Sequence, residues 1–355
     1  MHFEGFPIVV GFELTLACNL ECRHCASSAT QHRRSRELST DEALQICDQF
    51  PDLFVQEVDL TGGEPLLRTD WPAIARHLHD LCIPVRMVTN GLLLKRNAKK
   101  IADSGLTTVG VSLDGLERTH DHIRKRPGLF RQIVEGIETA LRMGVPVAVI
   151  TAVNDMNVGE LPALRSFLRT LGVEHWQVQP TFSIGRARTS NLVLSDSTYL
   201  DMGEFIHGHR MACNDSAIGI VPADGVGYFT DLDSRELPWK GCSAGISSCG
   251  ITSDGHLKGC LSLPDTFREG SLREREFWDI WFDEKSFGYN RRFSPEKLGE
   301  NCENCDFGEQ CKGGCSVMSY AATGALHNDP YCFQRLNSPA ARQDSLLPRD
   351  EPRNG

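Results

Sequence analysis

Three cysteines near the start of the chain, Cys18, Cys22 and Cys25, stand in the spacing CxxxCxxC within LACNLECRHCASSA (16–29). A closed structural zinc site takes four ligands, usually two CxxC-like pairs or a pair with histidines. Here the count is three, and no second pair lies nearby. His24 sits inside the motif, where ligation beside its own sequence neighbours is sterically awkward. The alternative is a 4Fe–4S cluster on three thiolates, with one iron open to an outside ligand. Spacing alone leaves both readings standing.

A second field holds eight cysteines: Cys242, Cys249, Cys260, Cys302, Cys305, Cys311, Cys315 and Cys332. Asp254-Gly255 in SSCGITSDGHLKGCLS (247–262) predicts a two-residue hairpin turn. Opposed positions then sum to 509, so Cys249 faces Cys260 with Cβ atoms roughly 4.5–5.5 Å apart. A shared cluster, a zinc ion or a cross-strand disulfide would each accept that pair. The run CxxCxxxxxCxxxC (302–315), taken alone, also admits zinc. With 14 cysteines this clustered, metal or redox chemistry is favoured over a disulfide framework. Cys47 and Cys82 fall in helical patterns and read as small buried residues. Cys213 belongs to neither field and reads as structural.

The elements that must position these groups alternate from residue 10 to about 185. Strands are predicted at GFELTLA, EVDLTG, VRMVTN, TVGVSLD, VAVITAV and HWQVQP, with amphipathic helices between them. Several helices close on glycine, at Gly105, Gly144 and Gly172, and LSTDE supplies a Ser/Thr cap followed by acidic residues. Successive βα units require parallel strands and right-handed crossovers. Six units predict an α/β fold, a partial (β/α)6 TIM-like barrel, with its chemistry at the C-terminal strand ends. Those ends carry the three cysteines, TGGEP (61–65), TNG (89–91), SLDG (112–115) and PTFSIGRA (180–187). We divide the chain into a barrel (1–190), a bridge (191–240) with a helix and a hairpin expected at AIGIVPADGVGYF, a cysteine-rich domain (241–335) and a disordered polar tail (336–355).

A length of 355 residues suits more than one compact unit. The net charge of −10 argues against non-specific nucleic-acid binding, and HRRSR (32–36) and RKR (124–126) read as solvated loop charge. The longest apolar runs, such as VPVAVITAV (145–153), are too short to span a bilayer. No secretory signal is evident, so the expectation is a cytoplasmic protein without membrane contact.

Cys18, Cys22 and Cys25 followed by Gly62-Gly63-Glu64-Pro65 resemble the signature of the radical S-adenosylmethionine (radical SAM) superfamily. The resemblance implies that the open iron binds the amino and carboxylate groups of S-adenosylmethionine (SAM). It also implies reductive cleavage to a 5′-deoxyadenosyl radical that abstracts a substrate hydrogen. Gly62 and Gly63 would let backbone approach the ligand, and Glu64 would fix its amino group. Asn90, Ser112 and Asp114 match cofactor-facing positions, the latter two near the ribose; Arg124 matches an arginine that contacts the methionine carboxylate. The second field resembles the SPASM domain, which houses two auxiliary 4Fe–4S clusters. The family pattern gives one cluster to Cys242, Cys249, Cys260 and Cys315, and the other to Cys302, Cys305, Cys311 and Cys332, making three clusters in all.

Among SPASM proteins, ELTLACNLECRHC and CKGGCSVMSYAATG are most similar to peptide maturases of the mycofactocin and PQQ-precursor type. That likeness implies oxidative decarboxylation or cross-linking of a ribosomally made precursor peptide, with a flavodoxin or ferredoxin-type reductant. Only 17 residues precede Cys18, so a leader-peptide-binding protein would be separate or unnecessary. Leu261 stands where sulfatase-maturing relatives carry aspartate, which disfavours formylglycine formation. The competing expectations are a radical dehydrogenase or epimerase of a sugar or aminocyclitol, and a non-enzymatic electron carrier. The catalytic acid or base is not assignable from sequence.

Overall fold

A computed structural model of the chain describes residues 5–190, 192, 194–211, 218–223, 226, 228 and 239–336. Cys213, part of the expected bridge hairpin (217, 224–225, 227 and 229) and nearly all of the tail lie outside these residues. The strands are β1 (Val9–Thr15), β2 (Glu57–Gly62), β3 (Val85–Thr89), β4 (Thr108–Ser112), β5 (Val147–Val153), β6 (His175–Pro180), β7 (Gly219–Pro222), β8 (Ser248–Ile251), β9 (His256–Lys258) and β10 (Arg268–Ser271). The helices that connect the barrel strands are α1 (Thr40–Cys47), α2 (Trp71–Asp80), α3 (Leu94–Ala102), α4 (Glu117–Ile123), α5 (Leu129–Arg142), α6 (Leu161–Leu171) and α7 (Asp196–Met211).

All ten strands form one sheet in the order β10-β9-β8-β1-β2-β3-β4-β5-β6-β7, and β1 to β7 run parallel. Two features depart from the expected plan. The first is a seventh parallel strand: after α7 the chain returns so that β7, within the segment expected as a hairpin, pairs parallel with β6, His175 opposite Gly219. The cysteine-rich region also continues the barrel sheet, since β8 pairs parallel with β1 and sets Cys249 opposite Val10.

Local sequence explains these elements. Ser39 caps α1 in a capping box, accepting from Glu42 N while its own N–H donates to Glu42 Oε2 at 2.8 Å. In α5 the buried residues Leu129, Phe130, Ile133, Ile137 and Ala140 recur at helical spacing, and burying each large side chain is worth about 1.5–3 kcal/mol. Gly105, Gly144 and Gly172 all have positive φ at helix ends, as expected. Cys47 is buried, but Cys82 is exposed: α2 stops at Asp80, and Cys82 occupies the following turn at φ 60°.

HRRSR is not simply solvated charge. Arg34 donates to Glu13 of β1 at 2.7 Å and to Asp265 at 2.9 Å, and Glu13 also accepts from Ser253 N and Oγ at 3.0 and 2.8 Å. Arg273 reaches Glu42 of α1 at 2.6 Å. These pairs tie the β8–β10 region to the barrel.

Candidate functional site

The loop after β1 holds the three cysteines over the C-terminal strand ends. Cys18 N donates to Thr30 O at 2.6 Å, closing the loop, while Gly63 N and Glu64 N donate to Thr15 O and Ala17 O at 2.8 and 2.9 Å. A Cβ on Gly63 would lie 2.4 Å from both Leu16 O and Ala17 O, and one on Gly62 (φ +147°) 2.2 Å from Thr15 O. The close approach expected of these glycines is therefore first an approach to the cysteine loop itself. Burial pushes the Cys18 thiol up to about 11 and raises Cys22 as well. Such thiols ionise when a metal centre takes them. All three line one cavity of about 370 Å³ together with Gly62, Gly63, Asn90, Ser112, Asp114 and Arg124.

Glu64 is placed differently from expectation. Its carboxylate is fully buried and accepts from Leu66 N (3.1 Å), Thr89 Oγ1 (2.7 Å) and Asn90 N (2.8 Å). It is not among the residues lining the cavity. Within the protein the side chain braces the end of β3, and Asn90 then turns Nδ2 to Cys18 Sγ at 3.6 Å and Asn19 Oδ1 at 2.7 Å. Burial raises Glu64 to about 7 against the pull of these three donors.

Asp114 is likewise a hub. Oδ1 accepts from Ala152 N at 3.1 Å, and Oδ2 meets Arg124 Nε at 2.7 Å and His24 Nε2 at 3.0 Å. Burial alone would raise its pKa, yet Arg124 and His24 hold it well below the usual range. With both oxygens engaged, Asp114 acts on the cavity through Arg124 and His24. The short helix α4, not foreseen from the sequence, delivers both His120 and, at its C-cap, the buried Arg124.

Sequence reasoning flagged PTFSIGRA as a strand end but singled out no residue in it. The structure brings Thr181 and Arg186 into the cavity wall. Buried there without a hydrogen-bond partner among the described residues are His24 Nδ1, Thr181 Oγ1 and Arg186 Nη2. Buried polar atoms of this kind call for a partner, so a polar ligand fits the cavity.

The second cysteine field divides in two. Cys302, Cys305, Cys311 and Cys332 line one cavity of about 530 Å³. Cys242 lies against Cys315, whose hydrogen bond, with those of Ser316, lowers the Cys242 thiol to about 6. Cys249 and Cys260 line a further cavity of about 570 Å³, whose walls share Thr61, Gln177 and Leu261 with the cavity over Cys18. The hairpin register differs from prediction: Gly250 opposes Lys258 and Ile251 opposes Leu257. Thr252 N donates to His256 O at 2.9 Å across a three-residue loop, with Gly255 at φ +85°. Cys260 therefore lies beyond the ladder, one position past the residue facing Cys249. Among the described residues no group of three or more His, Cys, Asp or Glu side chains could hold a single metal ion.

Comparison with known proteins follows the same division. Residues 12–168 match the radical SAM superfamily, and residues 242–306 match SPASM, an iron–sulfur cluster-binding domain. An AdoMet-dependent heme synthase of Methanosarcina barkeri is 31% identical over 347 residues, 93% of this chain and 97% of that protein. Mycofactocin maturase MftC of Mycobacterium ulcerans is 28% identical over 369 residues, 98% of this chain and 94% of that protein. The fold is similar to Streptococcus suis SuiB bound to the precursor peptide SuiA, with TM-score 0.75 and 17% identity over 93% of this chain and 77% of that one. Among the described residues no helix is long and apolar enough to cross a membrane.

Proposed function

The chain belongs to the radical SAM superfamily and carries a SPASM domain, and from that premise we propose that it is an oxidative radical enzyme whose Cys18, Cys22 and Cys25 hold the SAM-binding cluster. Cluster and SAM, once bound, supply a 5′-deoxyadenosyl radical that takes a hydrogen atom from the substrate. The observation that carries this reading is the polar cavity over the three thiols, with its buried and unpartnered His24, Thr181 and Arg186 atoms. Asn90 orients Cys18, the backbone at Gly62 and Gly63 shapes the loop's underside, and Ser112 lines the wall. Arg124, fixed by Asp114, offers a cation to a ligand carboxylate. We assign one auxiliary cluster to Cys242, Cys249, Cys260 and Cys315 and another to Cys302, Cys305, Cys311 and Cys332, for about twelve irons per chain.

The substrate in this reading is a precursor peptide, decarboxylated or cross-linked, with an outside flavodoxin or ferredoxin-type reductant. Similarity to the mycofactocin maturase supports it, and so does the second cavity, which gives an extended segment room between the cysteine fields. Leu261 lines both cavities, so the apolar side chain that disfavours formylglycine formation faces the proposed substrate. One observation favours a second reading, a carboxylated porphyrin: the heme synthase relative is the more similar over nearly the full length of both chains.

Anaerobic turnover with SAM and reductant tests both. Peptides encoded beside the gene should lose mass when coexpressed and should stimulate 5′-deoxyadenosine release. Stimulation by a carboxylated porphyrin alone would replace the peptide reading with the second. Unchanged 5′-deoxyadenosine formation in a Cys22→Ala variant would overturn the cluster assignment itself.

A further inference from the structure

Arg186 lies 164 residues from Cys22, yet it donates from Nε to Cys22 O at 2.8 Å and from Nη1 to Ala29 O at 2.6 Å. These two carbonyls sit on either side of Cys25. Its own backbone N–H donates to Cys25 O at 3.0 Å, so the segment after β6 lies directly on the cysteine loop. Gly185 makes that approach possible: a Cβ there would stand 2.2 Å from Ala26 O and 2.5 Å from Cys25 O, at φ +58°. The remaining guanidinium nitrogen, Nη2, is buried in the cavity wall and has no hydrogen-bond partner among the described residues. The cavity's other arginine, the buried Arg124, is matched by Asp114 at 2.7 Å, whereas Arg186 is half-buried. Arg186 makes its contacts to neutral carbonyls, so its charge remains available to whatever the cysteine loop holds.

We propose that Arg186 is the positioning residue of the three-cysteine loop, clamping it at two carbonyls and placing an uncompensated positive charge that favours the reduced state of the cluster held there. The inference rests on assigning Cys18, Cys22 and Cys25 to a cluster. The physical reason is simple. Reduction adds one negative charge to a site sheltered from water, where a nearby fixed cation acts more strongly than in solvent. The planar fork of arginine spans two carbonyls at once, which neither the single ammonium of lysine nor the neutral amide of glutamine reproduces. Charge and clamp can therefore be separated by substitution.

The test is a redox titration of the full chain, reconstituted anaerobically and followed by electron paramagnetic resonance. The cluster on Cys18, Cys22 and Cys25 is identified as the signal that changes on adding SAM. Arg186→Gln should make its reduction about tenfold less favourable, a fall of about 59 mV for one electron. Arg186→Lys should hold the wild-type potential while lowering iron loading of that site several-fold. A wild-type potential in Arg186→Gln, or wild-type loading in Arg186→Lys, overturns the proposal. If circular dichroism of the cluster-free chain shows that Arg186→Gln does not fold, the loading of Arg186→Lys still decides. Absence of any SAM-responsive signal in the wild type would instead overturn the cluster assignment.

Discussion

The two cysteine fields are built on opposite plans. The N-terminal one brings three thiols to a cavity that also holds buried polar atoms and an arginine that, among the described residues, lack a hydrogen-bond partner and a carboxylate respectively. The C-terminal one supplies eight cysteines, four of them around a single cavity and two others in mutual contact. A site short of ligands and rich in unmet hydrogen bonds is made to receive something. A site in which cysteine supplies every proposed ligand is made to hold a centre closed. On the proposed assignment, the difference teaches that the first field would do chemistry on an exchangeable ligand, while the second would suit electron transfer.

The largest expected effect comes from removing one ligand on the open side. Cys18→Ala should abolish reductive cleavage of SAM, read as 5′-deoxyadenosine, and should remove about four irons per chain. Cys302→Ala should also remove about four irons. It should, however, leave SAM cleavage without substrate intact and depress only substrate oxidation. Equal loss of SAM cleavage in both variants would erase the proposed division of labour.

An intermediate effect is expected at Glu64, which braces the strand end beneath the open site. Glu64→Ala would strand the donors Leu66 N, Thr89 Oγ1 and Asn90 N, at a cost of about 3 kcal/mol. Denaturant unfolding of the cluster-free chain measures this. Burial holds the Glu64 carboxyl at about 7, above its unfolded value. Its contribution is then fully present below about pH 4.3 and lost as pH rises through 7. Glu64→Gln should flatten the stability profile over that window, and an unflattened profile would remove the brace from the account.

Much of this arrangement was legible in the sequence, and the rest was hidden for identifiable reasons. EVDLTG, VAVITAV and HWQVQP coincide with β2, β5 and β6 residue for residue, because apolar runs bounded by turn and helix signals mark their own ends. Thiols at close spacing announced the open site in the same way. The direction of the Glu64 side chain was not legible, since a carboxylate at a strand end serves a ligand or the backbone equally well. Nor was the hairpin register, where a three-residue loop at Ser253-Asp254-Gly255 replaced a two-residue turn and moved every pairing by one. Arg186 was invisible for a third reason: its partners are remote in sequence, and only the curl of the sheet brings β6 back to the loop after β1.

The smallest effect tests the seam that joins the two fields. Glu42, in the first turn of α1, accepts from Arg273 at 2.6 and 3.1 Å, and that hydrogen bonding lowers its carboxyl to about 2. The sign is opposite to that at Glu64. A carboxyl depressed by a partner contributes stability above its unfolded value near 4.3, and loses it as pH falls through 2. Asp254 and Asp265 in the same seam are depressed in the same direction: burial raises both, but the Thr252 hydroxyl with Arg268 and Arg34 at Asp254, and Arg34 with Lys258 and Arg268 at Asp265, outweigh it. Because the Glu42 pair is partly exposed, Glu42→Gln should cost only about 0.5 kcal/mol at pH 7, and nothing near pH 2. Urea midpoints of the cluster-free chain across that range measure it. A loss that persists in acid would mean that Glu42 stabilises α1 through its cap on Ser39, and the seam would then owe its strength to its other pairs, Arg34 with Glu13 and Asp265 and Arg268 with Asp254.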